Sequence, residues 1–494
     1  MRDGGVIQAL DGDVTQFQDT QVMLSASYSY RVMAKNSRGF ASEYSAPVSA
    51  STTDCGVKVQ SLASQIAYVH WNTPAATYSS VELSTSPLLP GQKSGALFPP
   101  ASMSATGYTR LSSKFHDLCP GDLEADTLYY GRIWNSDGAG LESASGVFTF
   151  RTPPVPANRF VFSKDSYGLA LSEEWRSLTP EKKSNALAAP YIRTMEVLQQ
   201  WDETQPAGPD EFIWDAVSPM AGIIPQLNEL KARGNTKSLK LVLRAGGALG
   251  GHRMPVWAAD GVETVAVEDD SADKIVRWDP QYVCRYWKMI HEAGKKFDSV
   301  PEISSVAVQS VSKTGEMTMS PVMLGQLRAL YSDGQIATNM QWLYRNSLLI
   351  YGESFPTKHI RMNMGRIQVP AAPNSPQEVG QAILDSLANT YGRRLTMGAT
   401  GFGGYRDGLL NRYYTKTGVG VQSEIPQKDS QDPAGDLRAA LDPALYGNYS
   451  SGFSFVGLHD DALAINPKLW EGRDDLVDYL NRVEARFEYL RAMP

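Results

Sequence analysis

The feature that most constrains this chain is a change of periodicity at Pro153-Pro154-Val155-Pro156. Before it, short segments alternate apolar and polar residues with a period of two. After it, apolar runs of strand length alternate with stretches of helix length as far as residue 494. Period-two segments broken by turns fold as antiparallel sheets, whereas strand–helix alternation calls for parallel strands with helical crossovers. The chain therefore reads as multidomain, with all-β modules before a Pro-rich linker at 153–157 and an α/β unit over 158–494. Its 494 residues suffice for two or three separate cores.

Eight strands are expected in the α/β unit, at 159–162, 191–197, 239–243, 303–308, 359–364, 395–399, 419–422 and 453–458. Helix starts are marked by a capping side chain before proline at Thr179-Pro180, Asp279-Pro280, Ser320-Pro321 and Ser375-Pro376, and Ser375 with Glu378 makes a capping box. One helix carries Val283, Tyr286, Trp287 and Ile290 on a single stripe, and the last carries Leu476, Tyr479, Leu480, Val483, Phe487 and Leu490. Eight such repeats fit an α/β (β/α)8 barrel. A doubly wound sheet is the second choice, because no Gly-x-Gly-x-x-Gly follows the first strand; Gly401-Phe402-Gly403-Gly404 comes only after the sixth.

The N-terminal part reads as a partial module over 1–54 and a whole one over 55–152. The partial module shows Tyr28-Ser29-Tyr30-Arg31-Val32-Met33-Ala34-Lys35-Asn36, then the turn Ser37-Arg38-Gly39. The whole one repeats the pattern at Tyr129-Tyr130-Gly131-Arg132-Ile133-Trp134-Asn135 and closes on Val147-Phe148-Thr149-Phe150-Arg151-Thr152. Both resemble fibronectin type III modules. Strands that precede the Tyr-x-Tyr strand in that family have no counterpart in 1–54, so the chain is expected to begin inside a module, as part of a longer modular protein. The resemblance implies a β-sandwich scaffold and no particular activity. His70 and His116 are expected to be packing or surface residues.

Composition excludes several functions. A net charge of −7 argues against nucleic acid as the main partner, since phosphate needs a basic face. No apolar run is long enough to span a bilayer, so no membrane partner is expected. Three cysteines make neither a disulfide framework nor a metal cluster, although Cys55 and Cys119 could pair; Cys284 falls on a helix and is expected in packing. The start Met1-Arg2-Asp3-Gly4-Gly5 lacks the apolar core of a secretion signal. An extracellular or particle-borne location is expected, by another route or with the signal removed.

In a barrel, chemistry gathers where strands end. The seventh strand, a glycine-bounded apolar run, ends on Gln422-Ser423-Glu424 before Pro426, and a carboxylate there is poorly placed for stability. The fourth leads through Gln309 to Lys313-Thr314-Gly315-Glu316. Other strand ends give Asp165, Glu196, Trp201, Arg244, Asn363, Arg366 and His459-Asp460-Asp461, with His252 and Trp257 in the connection after the third. Two carboxylates across one pocket can split a glycosidic bond, one protonating the leaving oxygen and the other attacking the anomeric carbon. Glu316 and Glu424 are the candidate catalytic residues; Trp201, Arg244, His252, Trp257, Gln309, Asn363, Gln422, His459 and Asp460 are candidate substrate-binding residues. Asp269-Asp270 and Asp460-Asp461 read as solvated turns, so no metal is expected, and no cofactor.

The 158–494 segment resembles clan A glycoside hydrolases, and in particular their beta-galactosidase-type members. Gln200-Trp201-Asp202-Glu203-Thr204-Gln205-Pro206-Ala207-Gly208 through Phe212-Ile213-Trp214-Asp215 is similar to the run after the second strand in that clan, and Met254-Pro255-Val256-Trp257 to the loop after the third. The resemblance implies a retaining hydrolase acting on a polysaccharide or oligosaccharide, with Glu316 as acid/base and Glu424 as nucleophile. Where the clan usually has Asn before its acid/base glutamate, this chain has Gly315. That departure leaves room for an alternative, a non-catalytic glycan-binding barrel in a phage tail or cell-surface protein. A metal-dependent hydrolase would need a His/Asp cluster at the strand ends, which the sequence does not show after strand one.

Overall fold

The computed structural model describes residues 23–24, 27–51, 56–161, 168–215, 222–244, 254–265, 275–309, 321–363, 369–372, 375, 377–400, 418–423, 432, 434–435, 438–439, 441–442, 453–458 and 474–492. The chain divides into two compact units, Met1–Val155 and Pro156–Pro494.

The first unit is all β: β1 (Met23–Leu24), β2 (Ser27–Tyr30), β3 (Val48–Ser51), β4 (Lys58–Ala63), β5 (Ile66–Ser84), β6 (Ala96–Phe98), β7 (Ser113–Leu118), β8 (Leu128–Ser136), β9 (Glu142–Ser145) and β10 (Phe148–Arg151). Strand β5 organises it. Its first part pairs with β4 and β7 and its second with β6 and β8, with the register broken between Asn72 and Thr77. Pro74 lies in that break; having no N–H it cannot continue the ladder, and the strand passes from one set of partners to the other there. Ile66, Val69, Trp71, Val81 and Ile133 have no exposed surface and form the centre of this core. His116 stacks on Trp71 at 4.9 Å, and His70 meets Asp117 at 2.9 Å, so both histidines serve packing. Cys119 is buried and disulfide-bonded, whereas Cys55 lies outside the described residues. Strands β2 and β3 form a separate antiparallel pair, followed and flanked by exposed Val32, Phe40 and Val48.

The second unit is built on eight parallel strands: β11 (Gly168–Glu174), β12 (Ile192–Gln200), β13 (Ser238–Arg244), β14 (Ile303–Ala307), β15 (His359–Asn363), β16 (Leu395–Thr400), β17 (Gly418–Ser423) and β18 (Phe453–Leu458). Each pairs with the next, and β18 pairs with β11 through Gly168↔Phe455 to Leu171↔Leu458, so the sheet closes on itself. An open doubly wound sheet would leave two edges; this one leaves none. Its helices are α1 (Pro180–Ala188), α2 (Trp201–Thr204), α3 (Ile223–Ala232), α4 (Pro280–Phe297), α5 (Pro321–Arg328), α6 (Asp333–Ser354), α7 (Val379–Tyr391) and α8 (Asp474–Ala492). The connections 401–417 and 424–452 lie wholly or largely outside the described residues.

Seven of the expected strands coincide with observed ones to within a few residues, and one is displaced. The first strand is Gly168–Glu174, not 159–162. The 159–161 segment, preceded by three prolines, instead sets the Phe160 ring edge-on against His359 at 5.7 Å. Buried Leu169, Ala170 and Leu171 make the strand. Thr179 and Asp279 cap α1 and α4 as expected, Thr179 accepting from Lys182 N, and Asp279 from Gln281 N and Tyr282 N. Ser375 does not start a helix. Ala371 N bonds Gln377 O and Val379 N bonds Val369 O, and α7 begins only at Val379. Ser375 Oγ accepts from Gln377 N at 3.1 Å, so the expected cap bond forms, but within a turn ahead of the helix.

Helices α4 and α6 come close at Gly294, where a Cβ would meet the Ser354 backbone oxygen at 2.3 Å. Gly294→Ala is expected to lower stability by about 1–3 kcal/mol through forced separation of the helices. Gly325→Ala, on a helix position with nothing within 4 Å, is expected to stabilise by up to about 1 kcal/mol. Thermal unfolding of the two variants checks the contrast.

Candidate active site

Orientation on the second strand follows from its hydrogen bonds. Gln199 donates from Nε2 to Ile213 O at 2.7 Å and accepts from Ile223 N at 3.1 Å, so it points outward to the start of α3. Side chains alternate along a strand, and Leu198 therefore points inward, where it clusters with Val242 and Ala307 of the next two strands. Residues two positions away share that inward face: Glu196 on β12, Lys240 and Arg244 on β13, and Gln309 just past β14. The ladder pairs Glu196 with Lys240, Gln200 with Arg244, Val242 with Ala307, and Ala307 with Arg361.

The interior is charged. Lys240 Nζ meets Glu196 Oε2 at 2.6 Å, with both side chains almost fully covered. Arg361 on β15 is 4% exposed; burial pushes its guanidinium down to about 10, and the charge of Glu196 works against that shift. It therefore stays cationic at neutral pH. His359, two residues earlier, is buried beside Arg361 and Arg394 and bonded to the Thr396 hydroxyl. Burial first, then the two cations, push it down to about 3, so its imidazole is neutral.

Nearer the strand ends a second network links three connections. Glu174, the last residue of β11, accepts from Arg244 Nη1 at 2.8 Å through one oxygen and from Arg176 Nε at 3.1 Å through the other. Arg176 Nη1 in turn meets both oxygens of Glu203 at 2.7 and 3.0 Å. Glu203 closes a capping box on α2, its Oε2 accepting from Gln200 N at 3.0 Å. Glu174, Arg176, Glu203 and the interior pair of Glu196 with Lys240 were not among the expected site residues. Glu174 had a legible signal, an apolar run ending in Ser-Glu-Glu, the same signature that marks Glu424; placing the first strand at 159–162 hid it.

The expected site residues fall into four groups, the two tryptophans last. Glu316, Glu424, His252, His459 and Asp460 lie outside the described residues, as do Asp165, Lys313, Arg366 and Asp461. Asn363 and Gln422 end β15 and β17; by register Asn363 pairs with Gly398, and Gln422 with Thr400 and Gly457. Arg244 and Gln309 are brought together at the mouth, since the Val242–Ala307 register continued by two places them side by side. Gln309 is 8% exposed, and its Oε1 has no partner among the described residues.

Trp201 is corrected. It has no exposed surface, donates its indole N–H to Gln205 Oε1 at 2.7 Å, and is walled by Trp257, Tyr282 and Tyr286. A ring enclosed on all sides cannot stack on a sugar; it holds the second connection against α4. Trp257 is half-buried, its N–H bonded to Gln205 O at 2.8 Å and the Arg285 guanidinium 5.9 Å from its ring. Trp342 is buried in packing, whereas Cys284, expected only to pack, is buried and disulfide-bonded. Among the described residues no group of His, Cys, Asp and Glu is arranged to hold a metal ion.

No protein-family model matches the chain, and no curated protein matches it. Among solved structures, the catalytic domain of beta-amylase from Paenibacillus polymyxa is similar over 65% of this chain and 100% of its own, at 10% identity and a TM-score of 0.42. A cycloalternan-degrading enzyme from Trueperella pyogenes is similar over 94% of this chain and 76% of its own, at 11% identity and a TM-score of 0.36. The chicken CNTN1 FN1-FN3 domains match 28% of this chain and 46% of their own length, at 17% identity and a TM-score of 0.15. The fold described above stands on the strand ladders themselves.

A buried neutral histidine makes a pH dependence. Unfolded histidine titrates near 6.5 and folded His359 near 3, so its contribution to stability is fully present above pH 6.5 and is lost as pH falls toward 3. His359→Gln, which cannot take the proton, is expected to flatten the acid decline of the unfolding midpoint over that window. A wild-type slope retained in the variant would assign the acid sensitivity to other groups.

Proposed function

We propose that the 156–494 unit is a retaining glycoside hydrolase that cleaves a polysaccharide or oligosaccharide outside the cell or on a particle, with the all-β unit as a spacer. The observation that supports this reading is the closed parallel sheet, in which β14 and β17 run in the same sense, so the chain leaves both strands at one end of the barrel; Glu316 and Glu424 follow those strands in the sequence and lie outside the described residues. The strand-end residues described there, Glu174, Arg244 and Gln309, are polar, as a site for a hydroxylated ligand requires. Glu424 directly follows β17 and acts as nucleophile; Glu316 donates the proton to the leaving oxygen and then activates water. A retaining mechanism requires the two carboxyl groups about 5–5.5 Å apart.

One observation favours a second reading, a barrel that grips a glycan without cutting it. Gly315 stands where the resembling enzymes place the Asn that holds the sugar 2-hydroxyl, and the described mouth carboxylates Glu174 and Glu203 are committed to ion pairs. Hydrolysis separates the two. With aryl glycosides and polysaccharides as substrates, Glu424→Ala is expected to be inactive on all of them. Glu316→Gln is expected to lose roughly 10²–10⁴-fold on poor leaving groups and to keep partial activity on good ones. Wild-type rates in Glu424→Ala would remove the nucleophile assignment, and glycan binding without turnover in the wild type would establish the second reading.

A further inference from the structure

The described part of the barrel mouth holds one cluster that chooses between kinds of ligand. Glu174 ends β11 with a side chain 20% exposed, yet both its oxygens are tied, one to Arg244 and one to Arg176. Arg176 is covered, at 5% side-chain exposure, and gripped from the other side by Glu203. Glu174 is thus fixed in place with an open flank. Arg244 is 22% exposed, commits Nη1 to Glu174, and has an Nε without a partner among the described residues. Beside it Gln309, more than nine-tenths buried on the inward face, carries an Oε1 without a partner among the described residues.

These groups fit one ligand chemistry better than another. Two guanidinium groups and two carboxylates sum to no net charge, so an anion gains no long-range attraction from them. A ligand carboxylate or sulfate brings acceptors only. It would set like charge against Glu174 and leave the Gln309 oxygen without a donor. A hydroxyl both donates and accepts. Adjacent hydroxyls on one ring could donate to Glu174 and to Gln309 while accepting from Arg244.

We propose that Glu174, Arg244 and Gln309 form a subsite for a neutral polyhydroxylated ring and discriminate against acidic sugars. This rests on reading the barrel mouth as a glycan site, and its test is arranged to fail separately from hydrolysis.

The test is calorimetric titration of the full chain with neutral gluco-, manno- and galacto-hexasaccharides and with hexagalacturonate and hexamannuronate. At least one neutral series binds the wild type, and the uronates bind roughly tenfold or more weakly. Glu174→Gln weakens neutral binding by about tenfold and narrows the gap to the uronates. Gln309→Met, which leaves every ion pair intact, also weakens neutral binding, and it decides the matter should Glu174→Gln fail to fold. Uronates binding as tightly as neutral sugars, no binding of either class, or unchanged affinities in both folded variants would overturn the subsite. Selective neutral binding without hydrolysis would sink the hydrolase reading and leave the subsite standing. Hydrolysis with no effect of either variant on KM or on this selectivity would do the reverse.

Discussion

Charge placed inside a sheet barrel has to be answered inside it, and that constraint shapes the second unit of this protein. An ion moved out of water loses several kcal/mol of solvation, and a partner left alone loses it in full. Glu196 and Lys240 answer each other across β12 and β13. Higher up, Glu174 is answered twice and Arg176 twice, in a chain that ties the ends of three strands together. Such pairs add little net stability. What they supply is position: Glu174, Arg176, Glu203 and Arg244 hold the ends of β11, β12 and β13 against one another.

The aromatic wall behind that network does the same by apolar means. Trp201 is sealed between Trp257, Tyr282 and Tyr286, and Tyr286 passes the restraint on by donating to Leu243 O at 2.7 Å and meeting the Tyr351 hydroxyl at 2.9 Å. Tyr351 also accepts from Gln309 N at 3.3 Å. A continuous set of contacts therefore runs from the connection after β12, through α4 and α6, to the residue that follows β14. Strand ends braced in this way need little further ordering, which lowers the cost of any binding there.

Much of this was legible in the residues. Seven strands and the caps at Thr179 and Asp279 follow from periodicity and from side chains that cap before proline. Two errors share a cause. The apolar run Arg159-Phe160-Val161-Phe162 and the Ser375-Pro376 dipeptide are local signals: His359, distant in sequence, took Phe160, and Ser375 does accept from Gln377 N but within a turn that Val379 N closes onto Val369 O ahead of the helix. The site was less legible than the fold. Ion pairs such as Glu174 with Arg244, 70 residues apart, depend on register between strands, which no single segment encodes. Trp201 shows the complementary difficulty, since a tryptophan after a strand looks alike whether it faces ligand or core.

Closure has its own consequence for how the chain comes into being. The strand that seals the sheet is Phe453–Leu458, and the helix Asp474–Ala492 follows it, with Glu484 reaching back to Arg193 at 2.5 Å above Gly168. Gly168 has φ +142, and a Cβ there would meet the Arg193 side chain at 2.6 Å, so the seam tolerates only glycine. During synthesis β11 emerges well before β18, the strand that closes the sheet against it. Until then β11 and β17 are bare margins able to recruit other nascent chains. Premature termination anywhere before the seam should therefore yield aggregates rather than a smaller folded unit.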